Sequence, residues 1–172
     1  ATSGPITVVT PAGSAVSGAP FLVEYAPSCL AWAEIATIPV QGTYPINHIT
    51  VDGDEAWISR SSGLPGVTRQ NLATGDWHAD ILLARPPKGT AVTTSKAYVA
   101  SPGGSSSRLA VIDKSSNALI TEIDVGVDPY GVAVQNGKVY VTNCVQWAND
   151  APATVTVVDE ATNTVIKTID VG

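Results

Sequence analysis

Three stretches of this chain are versions of one another. Residues 129–172 contain "PYGVAVQNG", "KVYVTN", "TVTVVDEATN" and "TVIKTIDVG". One repeat earlier the same parts return as "PKGTAVTTS", "KAYVAS", "RLAVIDKSSN" and "ALITEIDVG". A worn copy precedes these: "PINHITVDG", "DEAWISR", "GVTRQNLATG" and "DWHADILLA". The prolines that open the units, Pro45, Pro87 and Pro129, lie 42 residues apart. The polar end of the third run falls 26 residues after the proline at Asn71 and at Asp113. In the last unit it falls at Asp159, because "QWANDAPA" inserts four residues. A tandem repeat of this length restricts the chain to architectures built from stacked, similar units.

Each unit holds four short runs rich in Val, Ile, Thr and Tyr, separated by Gly, Asn, Asp and Ser. Apolar and polar residues alternate within the runs, as in Thr154-Val155-Thr156-Val157, which is the period of a half-buried strand. The polar turns "NLATGD", "DKSSNA" and "DEATNT" place Gly75, Asn117 and Asn163 at one shared position, where these residues tolerate a left-handed backbone. No helical period of useful length is present. The reading is an all-β fold, a β-propeller of about four four-stranded blades at approximately 1–42, 43–84, 85–126 and 127–172, in one domain spanning 1–172. A ring of seven or eight blades needs roughly twice this length at ~42 residues per blade. An open half-ring exposes strand faces and edges, so three arrangements stand: completion by a second copy or another chain, which is favoured; a piece of a longer chain; or a small four-bladed propeller closed on itself.

The first forty residues are the least regular. "EIATIPVQG" matches the fourth strand of the other units. Before it, two alignments stand: "PITVVTPAG" as a first strand with "SAVSGAP" as a poor second, or "ITVVTP" as the second strand with "FLVEYA" as the third. The second alignment is preferred, because it keeps the spacing between second and third strands.

Tyr140-Val141-Thr142-Asn143, with "PYGVAV" before it and "TVTVVDEATNTVIKTIDVG" after, resembles the YVTN family of β-propeller repeats. The match is close over 129–172, good over 87–126 and weak over 45–84. The resemblance implies an extracellular or cell-surface propeller, often seven-bladed, and no single activity. Related propellers include surface-layer proteins, lactonases, a lyase acting on streptogramin antibiotics and subunits of quinoprotein dehydrogenases. The repeat carries no catalytic motif of its own, so none is transferred.

Composition narrows the classes of partner. The net charge is −6 with nine Lys and Arg, and there is no basic run, which argues against nucleic acid and anionic membrane surfaces. No apolar run approaches the ~20 residues that span a bilayer as a helix, so membrane insertion is not expected. The chain has no Met and opens on "ATSGP", which suits a secreted protein whose signal peptide has been removed. Cys29 and Cys144 form no CxxC, and whether they pair is open. Neither a metal site nor a cofactor is expected: the turn "VDGDEA" clusters Asp52, Asp54 and Glu55 but lacks the calcium-loop pattern.

In a propeller the first strand of each blade lines the central channel, and loops at one end of it form the usual binding face. This places Tyr44, Asn47, His48, Arg60, Arg85, Lys88, Tyr130, Asn143, Cys144, Gln146 and Trp147 together. A small-molecule or carbohydrate ligand is expected at Tyr44, Asn47, Lys88, Tyr130, Asn143, Gln146 and Trp147, with Trp147 on the one enlarged loop. Should the protein be an enzyme, His48 has the intrinsic pKa of a general base, and Arg60 would hold an anion. Trp32, Trp57 and Trp77 read as packing between blades. The leading functional reading is a secreted binding or assembly module engaging a ligand or partner at the channel end. The alternative is an enzyme or enzyme subunit of lyase or lactone-hydrolase type.

Overall fold

The computed structural model describes the backbone of Thr2–Gly4, Thr7–Thr10, Gly13–Val16 and Phe21–Val23, and residues 45–61, 63–104, 107–144 and 152–171. The chain separates into two compact units, Ala1–Thr37 and Ile38–Gly172. In the first unit, β1 (Thr2–Gly4) pairs antiparallel with β4 (Phe21–Val23), and β2 (Thr7–Thr10) with β3 (Gly13–Val16). These are two-stranded ladders, so the preferred alignment of "ITVVTP" beside "FLVEYA" is not what forms. Thr7–Thr10 pairs instead with Gly13–Val16, the strand next to it in sequence. The expected fourth strand "EIATIPVQG" lies outside the described residues.

The second unit contains three four-stranded antiparallel sheets, each in simple sequential order. The first is β5 (Ile46–Asp52), β6 (Glu55–Arg60), β7 (Gly66–Asn71) and β8 (Trp77–Leu82). The second is β9 (Thr90–Val92), β10 (Lys96–Ser101), β11 (Arg108–Asp113) and β12 (Leu119–Asp124). The third is β13 (Pro129–Gln135), β14 (Lys138–Asn143), β15 (Thr154–Asp159) and β16 (Thr164–Asp170).

Turn chemistry sets these meanders. Asn136 and Gly137 both have positive φ, 51° and 70°, in the two-residue hairpin between β13 and β14, the conformation for which Asn-Gly is favoured. Gly75, Asn117 and Asn163 have φ of 78°, 56° and 55°, as their shared position in the repeat predicts. The residue ending the third strand folds the same turn from its other side. Asp113 Oδ1 accepts the backbone N–H groups of Ser115 and Ser116 at 2.9 and 2.8 Å, and Asn71 Oδ1 those of Ala73 and Thr74 at 2.9 Å. Four bonds hold the Asp113 carboxylate, the Ser115 hydroxyl foremost, and its pKa is lowered to about 2.

The sheets stack face to face, and strand alternation decides which residues meet. Trp57, Val67, Ile81 and Leu83 of the first sheet and its edge pack against Ala97, Val99, Ala110 and Ile112 of the second. The opposite face of the second sheet, carrying Tyr98, Leu109, Val111 and Ile123, packs against Val139, Val141 and Val158 of the third. The middle sheet is thus covered on both faces, and each buried Val, Leu or Ile contributes about 1.5–3 kcal/mol relative to exposure. Trp57 is wholly buried in this packing, as expected, whereas Trp77 is exposed on the outer strand β8. Trp32 lies outside the described residues.

Cations close the polar edge of each interface. Arg69 lies over the Trp57 ring, 5.2 Å from its centroid, and donates to Lys114 O at 2.7 Å and Asn117 Oδ1 at 3.1 Å in the next sheet's turn. Lys96 does the same one sheet later, donating to Glu160 O at 2.6 Å and Asn163 Oδ1 at 3.0 Å. Two of the three "VDGDEA" carboxylates are paired: Asp52 with Lys114 in the turn of the second sheet, and Glu55 with Arg69 at 3.1 Å.

Candidate functional site

The first strands β5, β9 and β13 run side by side, bound to one another by cross-sheet hydrogen bonds. Asn47 Nδ2 donates to Pro87 O at 2.8 Å, and Thr50 Oγ1 donates to Thr90 O at 2.6 Å. The Gly89 N–H then donates to Tyr130 O at 2.8 Å. Glycine is required at position 89 because a Cβ there would stand 2.4 Å from Tyr130 O. The repeat accommodates this: Asn47, Gly89 and Gly131 each sit two residues after the unit's opening proline.

This close approach of backbones leaves a cleft of about 190 Å³ lined by Asn47, His48, Lys88, Gly89, Tyr130 and Gly131. Four of the residues expected at the channel end thus converge: Asn47, His48, Lys88 and Tyr130. Lys88 Nζ lies 5.6 Å from the centroid of the Tyr130 ring, a cation–π arrangement. Among the described residues no carboxylate forms an ion pair with Lys88. Its charge is therefore available to a ligand, and Tyr130, 55% exposed, offers a flat apolar wall beside it. The His48 imidazole is exposed, with Thr50 Oγ1 at 3.4 Å from Nδ1. The two glycines of the lining escape a search for reactive side chains, although their matching offsets mark them.

Other expected members are placed elsewhere. Arg60 does not join His48. A register shift between Ile46 and His48 sets His48 opposite Ser59 and Ile46 opposite Arg60. Adjacent residues of a strand point to opposite faces, so His48 shares the Ser59 face while Arg60 turns away. The Arg60 guanidinium, 2% exposed, instead pairs with Asp80 of β8 at 3.1 Å. Asn143 is likewise internal: its Nδ2 donates to the Thr154 and Thr156 hydroxyls, both at 2.9 Å. Arg85 lies 3.9 Å from Glu122 on the outer strand β12. Cys144 is a free, exposed thiol. Tyr44, Gln146, Trp147 and Cys29 lie outside the described residues. Among the described residues no group of three or more His, Cys, Asp or Glu is placed to hold a metal ion.

No protein-family model matches the chain, and no curated protein does. Solved structures do match. Hydrazine synthase of Kuenenia stuttgartiensis superposes with a TM-score of 0.66 at 26% identity, over 78% of this chain and 40% of that one. Dihydro-haem d1 dehydrogenase NirN, in complex with DHE, gives 0.55 at 14% identity, over 74% of this chain and 28% of that one. Glutaminyl cyclase of Myxococcus xanthus gives 0.53 at 17% identity, over 76% of this chain and 54% of that one. The chain spans less than two thirds of the length of each. With the three stacked four-stranded sheets, these likenesses establish an all-β, propeller-like fold.

Proposed function

We propose that this chain is a segment of a YVTN-type propeller acting as an extracellular binding module, with further blades completing the ring. Its ligand is a small molecule carrying an anionic group, held at the channel end. The observation that carries this reading is Lys88, a cation with no carboxylate partner among the described residues, set in a cleft with Asn47, His48 and Tyr130. The charge attracts an anion, the Tyr130 ring stacks on an apolar or sugar-like body, and the Asn47 amide fixes orientation. Titration calorimetry with a panel of small carboxylates, phosphorylated sugars and neutral sugars tests it. Anionic members are expected to bind, and Lys88→Ala to weaken them about tenfold or more, the equivalent of one charge-assisted hydrogen bond. Binding of neutral sugars alone, insensitive to Lys88→Ala, would overturn the reading.

A second reading is favoured by the imidazole of His48 on the same cleft and by the enzymes among the similar structures. Here His48 is a general base, and Lys88, in place of the diverted Arg60, stabilises developing negative charge. His48→Ala separates the two readings: a binding module keeps its ligand, whereas an enzyme loses turnover while still binding.

A further inference from the structure

The three sheets carry the same forward face, and only the third leaves it open. On the first sheet that face presents Trp57, Val67 and Ile81. On the second it presents Tyr98, Leu109 and Ile123. The register gives the third sheet Tyr140, Val155 and Ile169 at the same positions. The first two sets are buried under the following sheet, with Ile81 5% and Ile123 8% exposed, whereas Ile169 is 37% exposed. The polar edge repeats as well. Lys96 opens β10 and Lys138 opens β14, 42 residues on. Lys96 holds the next sheet's turn through Glu160 O and Asn163 Oδ1. Lys138 is exposed and has no ion pair among the described residues.

We infer that the face formed by Lys138, Tyr140, Val155 and Ile169 is a docking surface for a further four-stranded blade. The turn between that blade's third and fourth strands presents a backbone carbonyl and a left-handed asparagine to the Lys138 ammonium. This deepens the ring-completion part of the reading above and is independent of the ligand. The chemistry of the occupant follows from the two filled interfaces. Each supplies a cation from one sheet to the position after the Asp that ends the next third strand, and to the asparagine three residues further on. A second copy stacked through its own first sheet fits less well. The matching turn position there is Gly75, which has no side-chain oxygen to accept from the Lys138 ammonium.

The test appends a second copy of residues 127–172 to the full chain, which supplies a blade with the required turn. The extended protein is expected to be monomeric, to melt in one transition above the parent, and to protect the appended amides from hydrogen exchange. Lys138→Ala is expected to leave the parent's Tm unchanged and to lower that of the extended protein by about 2–4 °C. Replacing the appended counterpart of Asn163 by Gly, which keeps the left-handed turn, is expected to give a similar loss and to add little to Lys138→Ala. Unprotected appended amides would overturn both the docking surface and ring completion through this face. A folded appended blade with no coupling between Lys138 and the asparagine would overturn the recognition proposed here and leave completion standing. Stable dimers of the parent chain that Ile169→Asp dissociates would assign the face to a second copy and overturn the inference.

Discussion

The two filled interfaces solve one problem with different residues. Between the first and second sheets, the cation is Arg69 from a third strand, lying over Trp57 and braced by Glu55. Between the second and third, it is Lys96 from the start of a second strand, with Tyr98 as the aromatic. Glu55 occupies in the first sheet the position Lys96 holds in the second, so the charge there is reversed and the cation has moved across the ladder. What persists is the receiving turn, a carbonyl and the Oδ1 of an asparagine at φ near +55°. The receiver is constrained by backbone geometry, while the donor needs only to bring a long cationic side chain within reach.

Trp57→Ala should have the largest effect, about 3–5 kcal/mol by urea denaturation, because it removes a fully buried aromatic and leaves a cavity under Arg69. A loss below about 1 kcal/mol would mean that the first interface does not depend on its aromatic. Next come the cations. Arg69→Ala should cost about 1.5–3 kcal/mol, from charge-assisted bonds that are largely shielded from water. Lys96→Ala should cost less by about 0.5–1 kcal/mol, because among the described residues no ring, Tyr98 included, lies in cation–π contact with Lys96. Equal losses would erase the proposed difference between the interfaces.

Tyr98→Phe sharpens the comparison from the other side. The Tyr98 hydroxyl is buried and has no hydrogen-bond partner among the described residues, so its removal should be neutral or stabilising by up to about 1 kcal/mol. Burial, with Glu160 and Asp159 nearby, raises the phenol from 10.0 to about 12. The folded state therefore holds this proton more tightly than the unfolded state. Stability from this group is intact below pH 10 and is lost as pH rises towards about 12. Thermal melts across that range should show the loss in the native protein and not in Tyr98→Phe. The smallest effect belongs to Asp113. Its lowered pKa stabilises the fold above about 3.8 and is lost as pH falls towards about 2. Asp113→Asn, which copies Asn71, should flatten that acid limb in a Tm–pH profile; an unchanged limb would show that the turn's charge is irrelevant.

Much of this architecture was legible in the repeat. The 42-residue period located three sheets, and the turn residues located three left-handed positions. The rule that first strands line a propeller's channel places Asn47, His48, Lys88 and Tyr130 at one end. The errors share a cause. Arg60 and Asn143 end their second strands, and chain position alone puts them at the channel. A single register shift beside His48 turned Arg60 to the other face, towards Asp80, while two threonine hydroxyls on the neighbouring strand captured Asn143. The first forty residues offer two alignments, and the pairing of Thr7–Thr10 with the adjacent Gly13–Val16 departs from the preferred one.

Sequence by itself determined the number and order of strands in the repeated units and the places where the backbone must turn. Those follow from alternation and from the few residues that tolerate positive φ, which are local properties. Only the tertiary structure decided which side chains meet across sheets. That includes Lys88 beside Tyr130 with no carboxylate partner among the described residues, Arg69 and Lys96 on their neighbours' turns, and a third forward face left open. Such contacts depend on register and on the spacing between stacked sheets, and a shift of one residue reverses the face on which a side chain lies.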